Sequence, residues 1–303
     1  MQAALSASLA TQRALGVPDD AARVLTNNQV ASAVHTLTTT PVAQANMGQA
    51  LDAMREQYGD HWNRAMSELV RYGKLPGPFQ VVASMTEPGQ MAARQDLIRA
   101  AQQDAERGGA KRLTDIVPLD EKKTIDRDLD GYIDPFRQTA AVAGNTANTD
   151  LIANVKDSVR TLAYLYAAQG KSGDQALQAA ADGILHQKYD FSGTLRAPVG
   201  HMSDAENMTL DVQRSLTSDQ LAYPDGDPNL TPEQRRDIVF KGATRNGVWV
   251  PNPTDDGADL MAPVNGGMVR VFKKDGAPVS VKWPKNGGPW PARPGLQFEP
   301  NLQ

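Results

Sequence analysis

A mainly α-helical protein with a small β-containing part near its C-terminus is predicted by three features of the 303-residue sequence. Apolar residues recur at spacings of three and four through most of the chain, the mark of helices with one buried face. Many of those positions hold Ala, a strong helix former that buries little area. After Tyr189 the character changes, and beyond residue 243 short alternating runs appear, bounded by Gly and Pro.

The elements follow in order. Ala3, Ala4, Leu5, Leu9 and Leu15 form a first helix that Gly16 and Pro18 stop. A second is expected to begin near Asp19 or Asp20, with Ala21, Ala22, Val24 and Leu25 as its apolar side. Residues 36–41 are β-branched and turn-prone. Met47, Leu51, Met54, Tyr58, Trp62, Met66, Leu69 and Val70 predict an amphipathic helix, or a helix pair broken near Gly59. Residues 74–79 read as a loop, and residues 88–106 as a helix ended by Gly108 and Gly109. A polar connector is expected over 116–150. Leu151, Ile152, Val155, Val159, Leu162 and Tyr166 then make a strong helix, closed by Gly170. Residues 174–186 pair with it as an αα-hairpin.

Residues 191–199 have loop-and-strand character, and residues 203–215 form a short helix. Thr231-Pro232-Glu233-Gln234 combines a cap, a first-turn Pro and a Gln placed for a capping box. Residues 247–250, 268–272 and 278–283 alternate as strands, with Asp275-Gly276 as a hairpin turn between the last two. The expected organisation is a helical region at 1–115, the connector at 116–150, a helical region at 151–243, a small β region at 244–283 and an extended Pro-rich tail at 284–303.

Composition removes several classes of function. The net charge is −4 and Lys and Arg are scattered among acids, so clustered cations for sequence-independent nucleic-acid binding are missing. The absence of Cys excludes disulfides, thiolate zinc sites and cysteine nucleophiles. Residues 1–22 lack a basic start followed by an apolar core, so no signal peptide is expected. The longest apolar run, near residues 162–168, is far short of the roughly 20 residues of a membrane span.

The sharpest local motif is Asp126-Arg127-Asp128-Leu129-Asp130-Gly131-Tyr132-Ile133-Asp134. It matches the opening positions of an EF-hand-type loop, in which alternate oxygen ligands converge on Ca2+ and Gly allows the sharp turn. The candidate ligands are Asp126, Asp128, Asp130, Tyr132 (through its carbonyl) and Asp134. Arg137 stands where a bidentate Glu completes such a shell, and Pro135 interrupts the expected exiting helix. The bland reading is a solvated acidic turn. His35, His61, His186 and His201 fit no metal-ligand spacing, no phosphate-cradling Gly loop occurs, and no acid stands in a recognisable cleft signature for glycan cleavage. The Met47, Met54 and Met66 stripe reads as core or subunit contact. Trp249 and Trp283 read as core, and Trp290 as an anchor for a partner.

The order of these features resembles the C-terminal part of large bacteriophage virion proteins, internal or tail-associated, that take part in DNA delivery. The resemblance is carried by Val142-Ala143-Gly144-Asn145 before a helix containing Thr161-Leu162-Ala163-Tyr164-Leu165-Tyr166-Ala167-Ala168. Gly173-Asp174, Asp219-Gln220-Leu221-Ala222, the Thr231 helix start and Asn246-Gly247-Val248-Trp249-Val250 follow. It covers about residues 115–283 and leaves residues 1–115 unmatched. It implies a helical virion component present in multiple copies, a homo-oligomer that also meets other virion proteins. It implies too a route for DNA past the protein without sequence recognition. Some such proteins carry a lytic transglycosylase domain. The Glu-Ser and Gly-x-Met-Gln elements of that domain are missing here, so the activity is not implied. A peptidoglycan-degrading enzyme and a calcium-dependent binding module are the two competing readings.

Overall fold

A computed structural model describes residues 2–17, 22–39, 47–73, 77–105, 112–141, 146–224, 228–252, 255–284 and 290. The fold is mainly α, with twelve α-helices among the described residues and a small sheet region near the C-terminus. The chain divides into two compact units, Met1–Tyr189 and Asp190–Gln303.

In the first unit α1 (Gln2–Ala14) ends on Gly16, and α2 (Asn27–Thr39) starts later than the sequence suggests. The reason is local. The backbone N–H groups of Val24 and Leu25 donate to the buried Glu68 carboxylate (2.7 and 2.9 Å), which holds this stretch out of a helix. Thr26 and Gln29 then form the reciprocal capping bonds that set the start. At its other end α2 continues through the β-branched residues to Thr39, because Leu37 is buried there. Packing outweighs propensity at that point.

The amphipathic stretch is a helix pair, α3 (Met47–Tyr58) and α4 (Trp62–Gly73), separated by a tight turn at Gly59–His61. A further helix, α5 (Gly77–Ser84), begins inside the expected loop. Next, α6 (Met91–Ala105) is entered through Pro88–Gln90, with Glu87 and Gln90 capping each other. Gln90 is fully buried and donates to the Ile184 carbonyl (2.7 Å).

The largest departure lies where a polar connector was expected. After the short α7 (Leu113–Ile116), residues 119–141 form one long helix, α8 (Leu119–Ala141), with Pro135 inside it. Ile125, Leu129, Ile133 and Phe136 recur at helical spacing and are all buried. They pack against α9 (Thr146–Ala168) and α10 (Gly173–Ala181). The polar residues that suggested a connector are the outer face of this helix. Val159, Leu162 and Leu177 supply the facing core. The turn from α9 to α10 uses Gly170 at φ +98°, with the Gly170 and Lys171 N–H groups returning to the Ala167 and Tyr166 carbonyls. Ser172 and Gln175 then cap α10 reciprocally. This is the predicted αα-hairpin, except that residues 182–186 close it as a π-turn.

The second unit opens with the hairpin β1 (Tyr189–Ser192) and β2 (Leu195–Pro198), so the expected helical region 151–243 is divided near its middle. Helices α11 (Met202–Ser215) and α12 (Pro232–Asn246) belong with the sheet. The Thr231 capping box with Pro232 in the first turn forms as the sequence dictates. The sheet contains β3 (Val248–Pro251), β4 (Gly257–Val264), β5 (Gly267–Arg270) and β6 (Ser280–Lys282), all paired antiparallel to β4. Strand β4 went unread in the sequence. It is buried continuously from Gly257 to Ala262, so it lacks the alternation that marks a half-exposed strand. The turn near Gly276 closes as expected, with Lys273 and Ala277 hydrogen-bonded across it. Helix α12 lies on β4 so closely that a Cβ at Gly242 would come within 2.7 Å of the Pro263 carbonyl oxygen. The Pro-rich tail falls outside the described residues except for Pro284 and Trp290.

Truncating Leu129 to Ala is expected to destabilise the first unit by about 2–5 kcal/mol in urea unfolding, the range for a buried Leu. The same change at Leu119, which is 65% exposed, stays within about 0.5 kcal/mol of wild type.

Candidate interaction surfaces

The acidic motif does not form a calcium loop. In the helix Asp128 lies about 200° around the axis from Asp126, while Asp126, Asp130 and Asp134 follow one another along a single face one turn apart, so the acids are strung along the helix instead of converging on one point. Their partners are protein groups. Asp126 accepts from the Tyr164 hydroxyl (2.7 Å) and lies 3.3 Å from Arg160 Nε. Asp128 takes two bonds from Arg127 (2.6 and 2.7 Å), Asp130 accepts from Lys156 Nζ (2.6 Å), and Asp134 pairs with Arg137 (2.6 Å). The bond from Lys156 holds the Asp130 carboxyl below the usual range, and that from Arg127 does the same for Asp128. Burial first, and the bond to Asp126 second, push the Tyr164 hydroxyl well above its ordinary value. Tyr132 is half-buried on the same helix. Among the described residues no group of three or more His, Asp or Glu side chains is placed to hold a metal ion. The physical reason for the mismatch is the apolar stripe of α8, which obliges these residues to stay helical.

The histidines are separated. His61 bonds to Ser6 (2.9 Å), His186 approaches Asp182 (3.5 Å), and His201 meets Asp204 (3.1 Å). Trp290 finds its partners inside the second unit. Its ring stacks on His201 (centroids 4.6 Å apart, planes 12° apart) and lies 5.7 Å from Trp283. The indole is half-buried against the core of that unit. Trp249 and Trp283 are core residues, as expected.

Sequence reasoning missed a groove in the second unit. Its volume is about 610 Å³. One wall is α12, through Arg235, Ile238 and Val239; the other is the end of β4 with β5, through Val264, Val269, Arg270 and Phe272. Residues 222–224 and Leu230 close the remaining side. The lining is chiefly apolar, and its only charged members among the described residues are Arg235 and Arg270. Arg235 donates to the Pro224 and Leu230 carbonyls, each at 3.0 Å. Arg270 lies 3.3 Å from Asp259, an acid buried on β4. Around the rim, Tyr223 is 51% exposed and Val269 is 37% exposed, and Arg236 sits over the Tyr223 ring. Its volume and apolar lining make this groove the candidate interaction site of the second unit. No short motif announces it, because its lining is gathered from scattered positions between Ala222 and Gly276.

A second buried acid has a structural role. Glu68, which ties down Val24 and Leu25, has its carboxyl pushed above the ordinary value by burial; the two backbone donors and the nearby Arg23 and Arg64 only partly oppose this. No helix among the described residues is long and apolar enough to cross a membrane. Comparison with known protein families, with curated proteins and with solved structures finds no match to this chain.

Two outcomes are expected. Calcium at about 1 mM, the range of weakly held sites, leaves the thermal midpoint and the circular dichroism unchanged, whereas a rise in midpoint would show that the α8 acids bind it. Glu68 binds its proton more tightly in the folded state than in the unfolded chain, where its value lies near 4.5, so its contribution to stability falls as pH rises from 4.5 through the raised value. Urea titrations across that window are expected to show the loss in wild type and a flatter profile in Glu68→Gln.

Proposed function

We propose that this protein is an assembly subunit, acting through extended surfaces in contact with further copies and with companion proteins. The observation that carries the reading is the apolar groove of the second unit with its exposed rim. A folded chain rarely leaves Tyr223 and Val269 accessible in a cleft of this size without a use for them. The magnitudes agree. Burying what these two side chains still expose yields on the order of 2 kcal/mol, while association costs about 4–15 kcal/mol in lost freedom. The rim alone therefore does not hold a complex, and an occupant must also fill the groove.

The setting we propose is a bacteriophage particle, with the protein as an internal, tail or ejection-apparatus component present during DNA delivery. Support for the setting comes from the resemblance in feature order over about residues 115–283 and from the Ala-rich helices, which gain burial when neighbours stack on them. DNA would pass without sequence recognition, since the chain carries a net charge of −4 and no basic block.

Native mass spectrometry of the purified chain tests the assembly reading, with discrete multimers expected. A strictly monomeric chain at every concentration would overturn it. Proteomic counting on purified phage particles encoding this chain tests the setting: a fixed copy number per particle is expected, and absence from the particles refutes it.

A further inference from the structure

The edge of the sheet and the sequence beyond residue 290 fit each other. Strand β5 ends the path of paired strands, so one of its sides meets no further strand among the described residues. The N–H of Val271 donates to Leu260, which fixes the alternation along the ladder: Val269 and Gly267 turn their backbone groups toward β4, and Met268 and Arg270 turn theirs to the outer edge. Just past β5 an added strand has already begun. Ala222 N–H donates to the Phe272 carbonyl and Lys274 N–H to the Gln220 carbonyl, with Leu221 opposite Lys273. That segment then departs at Tyr223 and Pro224, and the groove occupies the place where it would have continued.

Residues 291–303 lie outside the described residues, and their sequence is informative. Leu296, Phe298, Pro300 and Leu302 alternate with Gln297, Glu299 and Asn301. An extended chain with this pattern has one apolar face and one polar face. Pro300 restricts such a strand to pairing on one side only, the condition at a sheet edge. Glu299 supplies the single acid, and the only charged lining residues of the groove among those described are arginines.

We infer that residues 296–302 of a second copy fill this groove as an added strand along the outer edge of β5, with Phe298 among the apolar residues between α12 and the sheet. The inference rests on the assembly reading and names the contact that links the copies. Main-chain bonds to the edge supply affinity, and the alternate apolar side chains supply register.

Sedimentation velocity on the full-length chain tests it with two variants, Phe298→Asp in the donated segment and Val269→Asp in the groove. Wild type is expected to form multimers, and each variant alone to associate at least tenfold more weakly with unchanged circular dichroism. An equimolar mixture keeps one intact groove and one intact segment, so it is expected to give heterodimers and nothing larger. Should Val269→Asp fail to fold, amide hydrogen exchange at Met268 provides the readout: slowed in wild type and fast in Phe298→Asp. Assembly of Phe298→Asp like wild type would overturn the strand exchange and leave the assembly reading standing. A mixture without heterodimers, from two folded variants that do not self-associate, also overturns it. A wild-type chain that never associates removes both.

Discussion

The first unit depends on burying one apolar stripe. Ile125, Leu129, Ile133 and Phe136 commit residues 119–141 to a helix, and that helix gives α9 and α10 something to pack on. Competition with the acidic motif is decided by magnitude. A weak calcium loop lacking its final bidentate ligand offers a few kcal/mol at millimolar ion. Removing four large side chains from water is worth about 1.5–3 kcal/mol each. Once the helix is formed, the same acids become its outer fence, each beside a Lys, an Arg or the Tyr164 hydroxyl.

Strand β4 holds the corresponding place in the second unit. It is paired by β3, β5 and β6 and covered by α12. Asp259 is tolerated at its centre because Arg270, on the neighbouring strand, stands diagonally across the ladder from it. A register slip of one residue would carry Arg270 to the other face and leave Asp259 buried beside apolar neighbours. This ion pair therefore specifies pairing more than it adds stability.

Much of the fold was legible because its signals are local. The capping box at Thr231, the glycine stops at Gly16 and Gly170 and the turn at Gly276 each depend on a few adjacent residues. What escaped reading depends on partners remote in sequence. The non-helical course of residues 22–26 needs Glu68, 44 positions from Val24 and 43 from Leu25, and the helical state of 126–134 needs the faces of α9 and α10. The groove was illegible for the same reason, since α12 and β5 give no sign separately that their walls diverge. Trp290 reads in the sequence as an anchor for a partner, and in the fold its ring also meets His201 and Trp283 of its own unit.

One missing methyl group acts as a gauge for the groove. Gly242 lets α12 settle against the Pro263 carbonyl, and Arg235, Ile238 and Val239 on the same rigid helix thereby take their distance from β5. A side chain at 242 would wedge the helix outward and widen the cleft along its length. The clearance between wall and sheet edge is thus dimensioned by a position that contributes no atom to the cleft's lining.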